Sequence, residues 1–140
     1  MGFTTKLKSD WVDGEDRIVT TFILSYYDKK TDKDYEVPAG FYSDGASLSK
    51  VLWPILGHPF NSDVREAAVL HDWFYYSGIV SRREADRMFR QAMKACGANF
   101  VKRYLYWSGV RLGGWVPWNN YRARGHYVEN FTIAIEELEP

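Results

Sequence analysis

Two stretches in the middle of the chain repeat apolar residues at helical spacing. From residue 63 to 76, one face of the predicted helix carries Val64, Ala67, Ala68, His71 and Tyr75. From residue 81, a second face carries Ala85, Met88, Phe89, Ala92, Met93 and Cys96. Capping boxes are predicted at both starts, in Asp63 with Glu66 and in Ser81 with Glu84, and Gly97 is predicted to end the second helix.

Only residues 77–80 separate the two predicted helices, so the helices are expected to pack antiparallel. A hairpin centred near residues 78 and 79 places His71 opposite Asp86. A carboxylate that holds one imidazole nitrogen fixes the tautomer of the ring, as a general base requires. The alternative interpretation is a hydrogen-bonded pair with a structural role only. Asp72 points about 100° away on the helix and is a candidate cation ligand near the same cleft.

The first forty residues are patterned for strands. Residues 17–27 predict one strand, and a charged turn over residues 28–33 leads into a second strand through Val37, which Pro38 ends. Trp11 and Val12 predict a short additional edge. The expected fold class is therefore α+β, with an N-terminal antiparallel hairpin or small sheet before the helical hairpin.

A third helix is predicted after Gly97 and is expected to end at Gly113 and Gly114. The prediction rests on the helical spacing of Val101, Tyr104, Leu105, Ser108 and Leu112. The chain is interpreted as one domain over residues 1–140, with a β-rich part (1–40), a helical core (60–114) and a C-terminal extension (115–140). A single helical turn is expected around residues 49–56, and a last strand within residues 126–136.

Composition narrows the class of protein. Of the 140 residues, 46% are hydrophobic, which is enough for one core without disulfides. The single cysteine, Cys96, excludes an internal disulfide and is expected to be a small buried hydrophobe. Eighteen basic and eighteen acidic residues cancel, so nothing favours nucleic acid as a partner. Without an apolar leader or membrane span, the protein is expected to be made in the cytoplasm without a signal peptide.

Two further groups of residues are candidates for binding. Asp44, in a glycine-containing turn, offers oxygen ligands to a hard cation, or instead forms an Asx-turn that caps its own backbone. An aromatic cluster with a neighbouring arginine comprises Trp107, Trp115, Trp118, Tyr121 and Arg122. This cluster fits a membrane interface, a protein docking surface or ordinary core packing.

The order of residues around the predicted pair resembles the core of the phospholipase A2 superfamily, most closely its disulfide-free branch in parvovirus capsids. The resemblance rests on Asp63, Ala67, Ala68, His71, Asp72, Tyr75, Ala85, Asp86 and Phe89. It implies a phospholipase A2-like helical core in which His71 activates water, Asp86 orients His71 and Asp72 binds calcium. The Tyr-x-Gly-x-Gly calcium loop of that superfamily does not precede His71.

A second resemblance covers nearly the whole chain. The string from Val37 to Ser47, together with the His71–Asp72 motif and residues 111–115, resembles a domain-of-unknown-function family of tailed bacteriophages and prophages with VPxGFxTDxAS and AAxxHDxxY motifs. Ser43 stands in place of the usual Thr. The resemblance implies a phage or prophage protein, expected in the virion.

Two hypotheses of function follow. The first is a calcium-dependent hydrolase of phospholipid or similar esters, with His71, Asp86 and Asp72 in the catalytic site, Asp72 and Asp44 as metal ligands, and host membrane lipid as a partner. The second is a structural or adaptor component of the tail, neck or capsid. It would dock other phage structural proteins through Trp107, Trp115, Trp118, Tyr121 and Arg122.

Overall fold

The computed structural model describes residues 2–12, 18–43 and 64–124. In these ranges six short strands precede four helices, which confirms the predicted α+β class. The strands are β1 (Gly2–Phe3), β2 (Ser9–Trp11), β3 (Ile18–Thr20), β4 (Leu24–Asp28), β5 (Lys33–Val37) and β6 (Tyr42–Ser43). The helices are α1 (Arg65–Ser77), α2 (Arg82–Ala95), α3 (Phe100–Gly113) and α4 (Trp115–Ala123).

The strands form two antiparallel sheets of three, in the orders β1-β4-β5 and β2-β3-β6. The predicted hairpin is confirmed in β4 and β5, whose register pairs Asp28 with Lys33 across the charged turn. Trp11 pairs with Ile18, which confirms the short additional strand. Val37 ends β5 immediately before Pro38, as expected from the missing backbone donor of proline.

The prediction of one strand over residues 17–27 was wrong, because β3 and β4 lie in different sheets. Alternation from Ile18 and Thr20 would have buried Phe22, but Phe22 is 50% exposed. The chain bends at residues 21–23 and the Thr5 hydroxyl donates to the Ile23 carbonyl at 3.0 Å. The composition of the segment is typical of strand on both sides of the bend, so the sequence pattern did not reveal it.

Helices α1 and α2 form the predicted hairpin. Helix α1 has Val64 at its N-cap. The predicted capping box of Asp63 with Glu66 depends on Asp63, which lies outside the described residues. The cap of α2 is confirmed, since the Ser81 side chain accepts from the Glu84 N–H at 3.2 Å. Gly97 follows α2 at φ +86°, the left-handed conformation that favours glycine.

Helix α1 lies at the centre of the core. The predicted face is buried throughout, and so are Trp73 and Phe74 on its other sides. Aromatic edges join it to the strands, with Phe41 against Trp73 at 5.3 Å and Tyr35 against Phe74 at 5.2 Å between ring centroids. Trp73 and Phe74 thus face the strands, whereas His71 faces α2.

Helix α3 has the predicted length but buries other residues than those that predicted it. Tyr106 and Val110 are buried, whereas Val101, Tyr104, Leu105 and Leu112 are exposed. The C-terminal extension contains α4, which was not predicted. Pro117 lies in its first turn, where a missing N–H is tolerated. Asp44, the turn at 49–56 and the strand at 126–136 lie outside the described residues.

Candidate functional site

The helical hairpin brings His71 and Asp86 into direct contact. His71 Nε2 lies 2.7 Å from Asp86 Oδ1, within the distance expected from the hairpin geometry, and both side chains are fully buried. The His71 ring packs between Tyr75 and Phe89, with centroid distances of 4.2 and 4.6 Å. The predicted contact is therefore confirmed, and Nδ1 is the ring nitrogen that does not bind Asp86.

Asp86 accepts hydrogen bonds on both carboxylate oxygens. Besides His71, Oδ1 accepts from the Tyr75 hydroxyl at 2.7 Å, while Oδ2 accepts from Arg111 Nη1 at 2.6 Å. Arg82 Nη1 lies 3.5 Å from Oδ2 and donates to the Val110 carbonyl at 3.0 Å. A buried carboxylate is costly unless its charge is paired and its lone pairs are used, and these contacts meet both conditions.

Tyr75 is one helical turn beyond His71 and completes the site from the same face of α1. Burial, and then the nearby Asp86 carboxylate, raise the pKa of the Tyr75 hydroxyl above its ordinary value, so the hydroxyl remains a donor. The hydroxyl lies against Gly114, at the junction of α3 and α4, where a Cβ atom would collide with it. A glycine at this junction is therefore required for the close approach of α4.

Asp72 points to a different part of the core from His71. Its carboxylate is almost fully buried and accepts a short hydrogen bond from the Ser43 hydroxyl on β6. No group of three or more His, Cys, Asp or Glu side chains suited to a metal ion is found among the residues described. Asp72 and Asp44 as metal ligands stay a prediction.

The predicted aromatic cluster divides between core and surface. Trp107, Trp118 and Tyr121 pack against the core, whereas Trp115 is 55% exposed. Trp118 meets the Tyr75 ring edge-on at 5.3 Å, which places it behind the Asp86 network. The binding role given to these rings stays a prediction.

Arg122 attaches α4 to the end of α1. Its Nη2 donates to the carbonyls of Tyr75 and Tyr76 at 2.6 and 2.7 Å, and its guanidinium stacks on Trp118 at 4.6 Å. A positive charge at a helix C-terminus is favourable. Gly78, at φ +65°, makes room for the guanidinium, because a Cβ there would lie 2.5 Å from Arg122 Nη1.

Sequence reasoning missed three partners of Asp86. Tyr75 and Arg82 had a local signal, since they lie four residues from His71 and Asp86 and so share their helical faces. Arg111 had none, because its contact depends on how α3 packs over the hairpin. Together these residues form a buried His–Asp–Tyr network closed by two arginines.

The fold and site define a small α+β domain with a buried His–Asp pair on a helical hairpin. The family described as "Protein of unknown function (DUF1353)" matches residues 20–110, which include β4, β5 and the whole hairpin. The chain belongs to this family. The expected membership of a domain-of-unknown-function family is thereby confirmed.

Two curated relatives, both from Sinorhizobium fredii (strain NBRC 101917 / NGR234), are similar to the chain. Uncharacterized protein y4jT is 30% identical over 88 residues, or 62% of this chain, and uncharacterized protein y4iH is 35% identical over 80 residues, or 54%. The chain spans only 26% and 34% of the lengths of these relatives. No solved structure matches. None of the described helices is long and apolar enough to cross a membrane.

Proposed function

We propose that the protein is a phage or prophage hydrolase of lipid esters, carried in the virion, with His71 as general base and Asp86 as the group that orients it. The observation that carries the proposal is the 2.7 Å contact between His71 Nε2 and Asp86 Oδ1. In this role Asp86 fixes the tautomer, and Nδ1 takes a proton from the water that attacks the ester carbonyl. The phage origin rests on the resemblance of the Val37–Ser47 and His71–Asp72 motifs.

The network around Asp86 supports this role. Tyr75 donates to the same Asp86 oxygen as His71 and Arg111 donates to the other, so the carboxylate is held in place and the imidazole has a fixed partner. Apolar residues would fill the same core without the desolvation of the Asp86 carboxylate, which is fully buried. His71 is fully buried, so hydrolysis requires a movement that admits water and substrate to Nδ1.

The test is hydrolysis of mixed phospholipid vesicles by the full chain, with calcium and with a calcium chelator. His71→Gln and Asp86→Asn are each expected to lower the rate at least about a hundredfold, the usual scale for a lost general base. Asp28→Asn is the matched control, because Asp28 is also a fully buried carboxylate that accepts from an arginine, in a separate network. Activity is normalised to the folded fraction by circular dichroism.

Wild-type protein that leaves the vesicles intact in both conditions contradicts the proposal. Equal losses in Asp86→Asn and Asp28→Asn contradict it as well, because they show a general effect of buried charge. Activity that persists in the chelator shows that the reaction does not need calcium, and it leaves the His71–Asp86 mechanism standing.

A second candidate function is an adaptor in the phage particle, and one observation favours it. Large apolar side chains are exposed along α3 and at the start of α4, with Leu112 at 80%, Phe100 at 70% and Trp115 at 55%. Leu112→Glu is expected to prevent incorporation into particles without changing the melting temperature, while the Asp86→Asn variant is incorporated normally. Normal incorporation of Leu112→Glu excludes docking through this face.

A further inference from the structure

The chain has zero net charge, but its positively charged residues are concentrated in one segment of the sequence. Residues 81–124 contain ten Lys or Arg and only two Asp or Glu. Several of these positively charged side chains lie at the groove between α2 and α3. A cavity of about 420 Å³ opens there, beside the turn between β4 and β5. Among the residues that the structure describes, the cavity is lined by Lys30, Arg83, Arg87, Arg90, Trp107 and Arg111, and by one acidic residue, Glu84.

Part of this charge is neutralised within the protein. Arg87 binds Asp28 and Glu84, each at 2.7 Å, and Arg111 binds Asp86. Two of the remaining cations, Arg83 and Arg90, form no salt bridge within the part of the chain that the structure describes. Lys30, at the tip of the charged turn, forms none there either. Arg90 lies over the Trp107 ring at 4.9 Å, which fixes the position of its guanidinium.

We propose that this cavity binds a phosphate-bearing ligand through Lys30, Arg83 and Arg90. Guanidinium groups donate in a planar fork that matches phosphate oxygens, and a phosphate carries enough negative charge to neutralise several cations at once. The cavity is larger than one phosphate group and falls in the range of ordinary ligand pockets, so it has room for an ester group attached to the phosphate. Trp107 offers an apolar wall for that group.

Arg111 connects this cavity with the buried His–Asp pair. Its side chain lines the cavity, is 31% exposed and donates to Asp86 Oδ2 from the opposite side to His71. A phosphate in the cavity competes with Asp86 for the Arg111 guanidinium. Occupancy is therefore transmitted to the environment of the His71 ring, whether or not the pair hydrolyses esters.

The experiment is calorimetric titration of the full chain with sodium pyrophosphate at low ionic strength. Wild type is expected to bind one pyrophosphate, and Arg83→Gln and Arg90→Gln are each expected to weaken binding at least about tenfold. Arg124→Gln is the matched control, because Arg124 is exposed and lies outside the cavity. Because Arg83 and Arg90 are exposed as well, all three variants are expected to fold. In wild type, saturation is expected to shift the NMR signals of the His71 ring.

Vesicles distinguish the sources of the phosphate. Sedimentation with phosphatidylglycerol vesicles that pyrophosphate reverses identifies a lipid headgroup, whereas pyrophosphate binding without vesicle binding identifies a soluble phosphate ester. The proposal is overturned if pyrophosphate shows no saturable binding up to about 10 mM. It is also overturned if Arg124→Gln weakens binding as much as Arg83→Gln. Binding of a single-stranded oligonucleotide that pyrophosphate does not displace likewise refutes it.

Discussion

The Asp86 network makes a quantitative prediction about stability. Asp86→Ala leaves the Tyr75 hydroxyl and the Arg111 guanidinium without their carboxylate, in a site that is closed to water at Asp86. Breaking a buried, hydrogen-bonded charge pair costs about 3–5 kcal/mol, a large share of the 5–15 kcal/mol by which a typical domain is stable. Asp34→Ala, on the exposed side of β5, is expected to change the free energy of unfolding by less than about 0.5 kcal/mol.

Tyr75→Phe tests whether the cost arises from this network. In wild type the hydroxyl donates to a charged acceptor, so its removal is expected to cost about 1.5–3 kcal/mol. In the Asp86→Ala background the same hydroxyl has lost that acceptor. Its removal there is expected to be neutral or stabilising. The coupling energy between the two positions is therefore expected to be at least about 1.5 kcal/mol.

Urea unfolding of wild type, both single variants and the double variant measures this coupling, with the slope m compared to detect changes in the unfolded state. Additive losses at Tyr75 and Asp86 would refute the shared network. A loss below about 1 kcal/mol for Asp86→Ala would show that the carboxylate is paired too weakly to organise the site.

Three further predictions concern other parts of the fold. Gly78→Ala is expected to lower the free energy of unfolding by more than Gly97→Ala. An alanine at either position is strained by about 1–2 kcal/mol in the left-handed conformation, but only the alanine at position 78 also displaces Arg122. Equal losses in urea unfolding would contradict this. Burial alone would raise the pKa of the Asp28 carboxyl, but hydrogen bonds from Arg87 and Thr31 lower this pKa below its ordinary 3.8. The Asp28 carboxylate therefore stabilises the fold at neutral pH, and this stabilisation is lost as the pH falls below 3.8. Asp28→Asn is accordingly expected to flatten the loss of stability toward about pH 3, and an unchanged acid profile would exclude this pair as its cause. Trp118→Ala combined with Arg122→Ala is expected to lower the melting temperature by about 8 °C or more, and an unchanged melting temperature would show that α4 is not needed for the core.

The contact between His71 and Asp86 could be predicted because it depends only on local features. Helical periodicity set the faces of α1 and α2, and the short link fixed their antiparallel register. Each of these constraints acts within about twenty residues. Neither requires knowledge of the rest of the chain.

The remaining parts of the site depend on contacts that are remote in sequence. Arg111 reaches Asp86 only because α3 crosses the hairpin on its Tyr106 and Val110 side, whereas its more continuous apolar stripe is exposed. Amphipathic spacing identified the helix correctly but not the face that it buries. The bend before β4 was hidden for a similar reason, since both sides of it have the composition of strand.

The link between Asp28 and Arg87 bears on the order of folding. These residues are 59 positions apart, whereas the β4–β5 and α1–α2 hairpins each close a short loop. Loop closure over a short distance is entropically cheap, so the two hairpins are expected to form first and to dock afterwards. The link requires the sheet to meet α2, so we expect it to form late, on the native side of the transition state. It is therefore expected mainly to lower the unfolding rate, which prolongs the lifetime of the folded state without making folding faster.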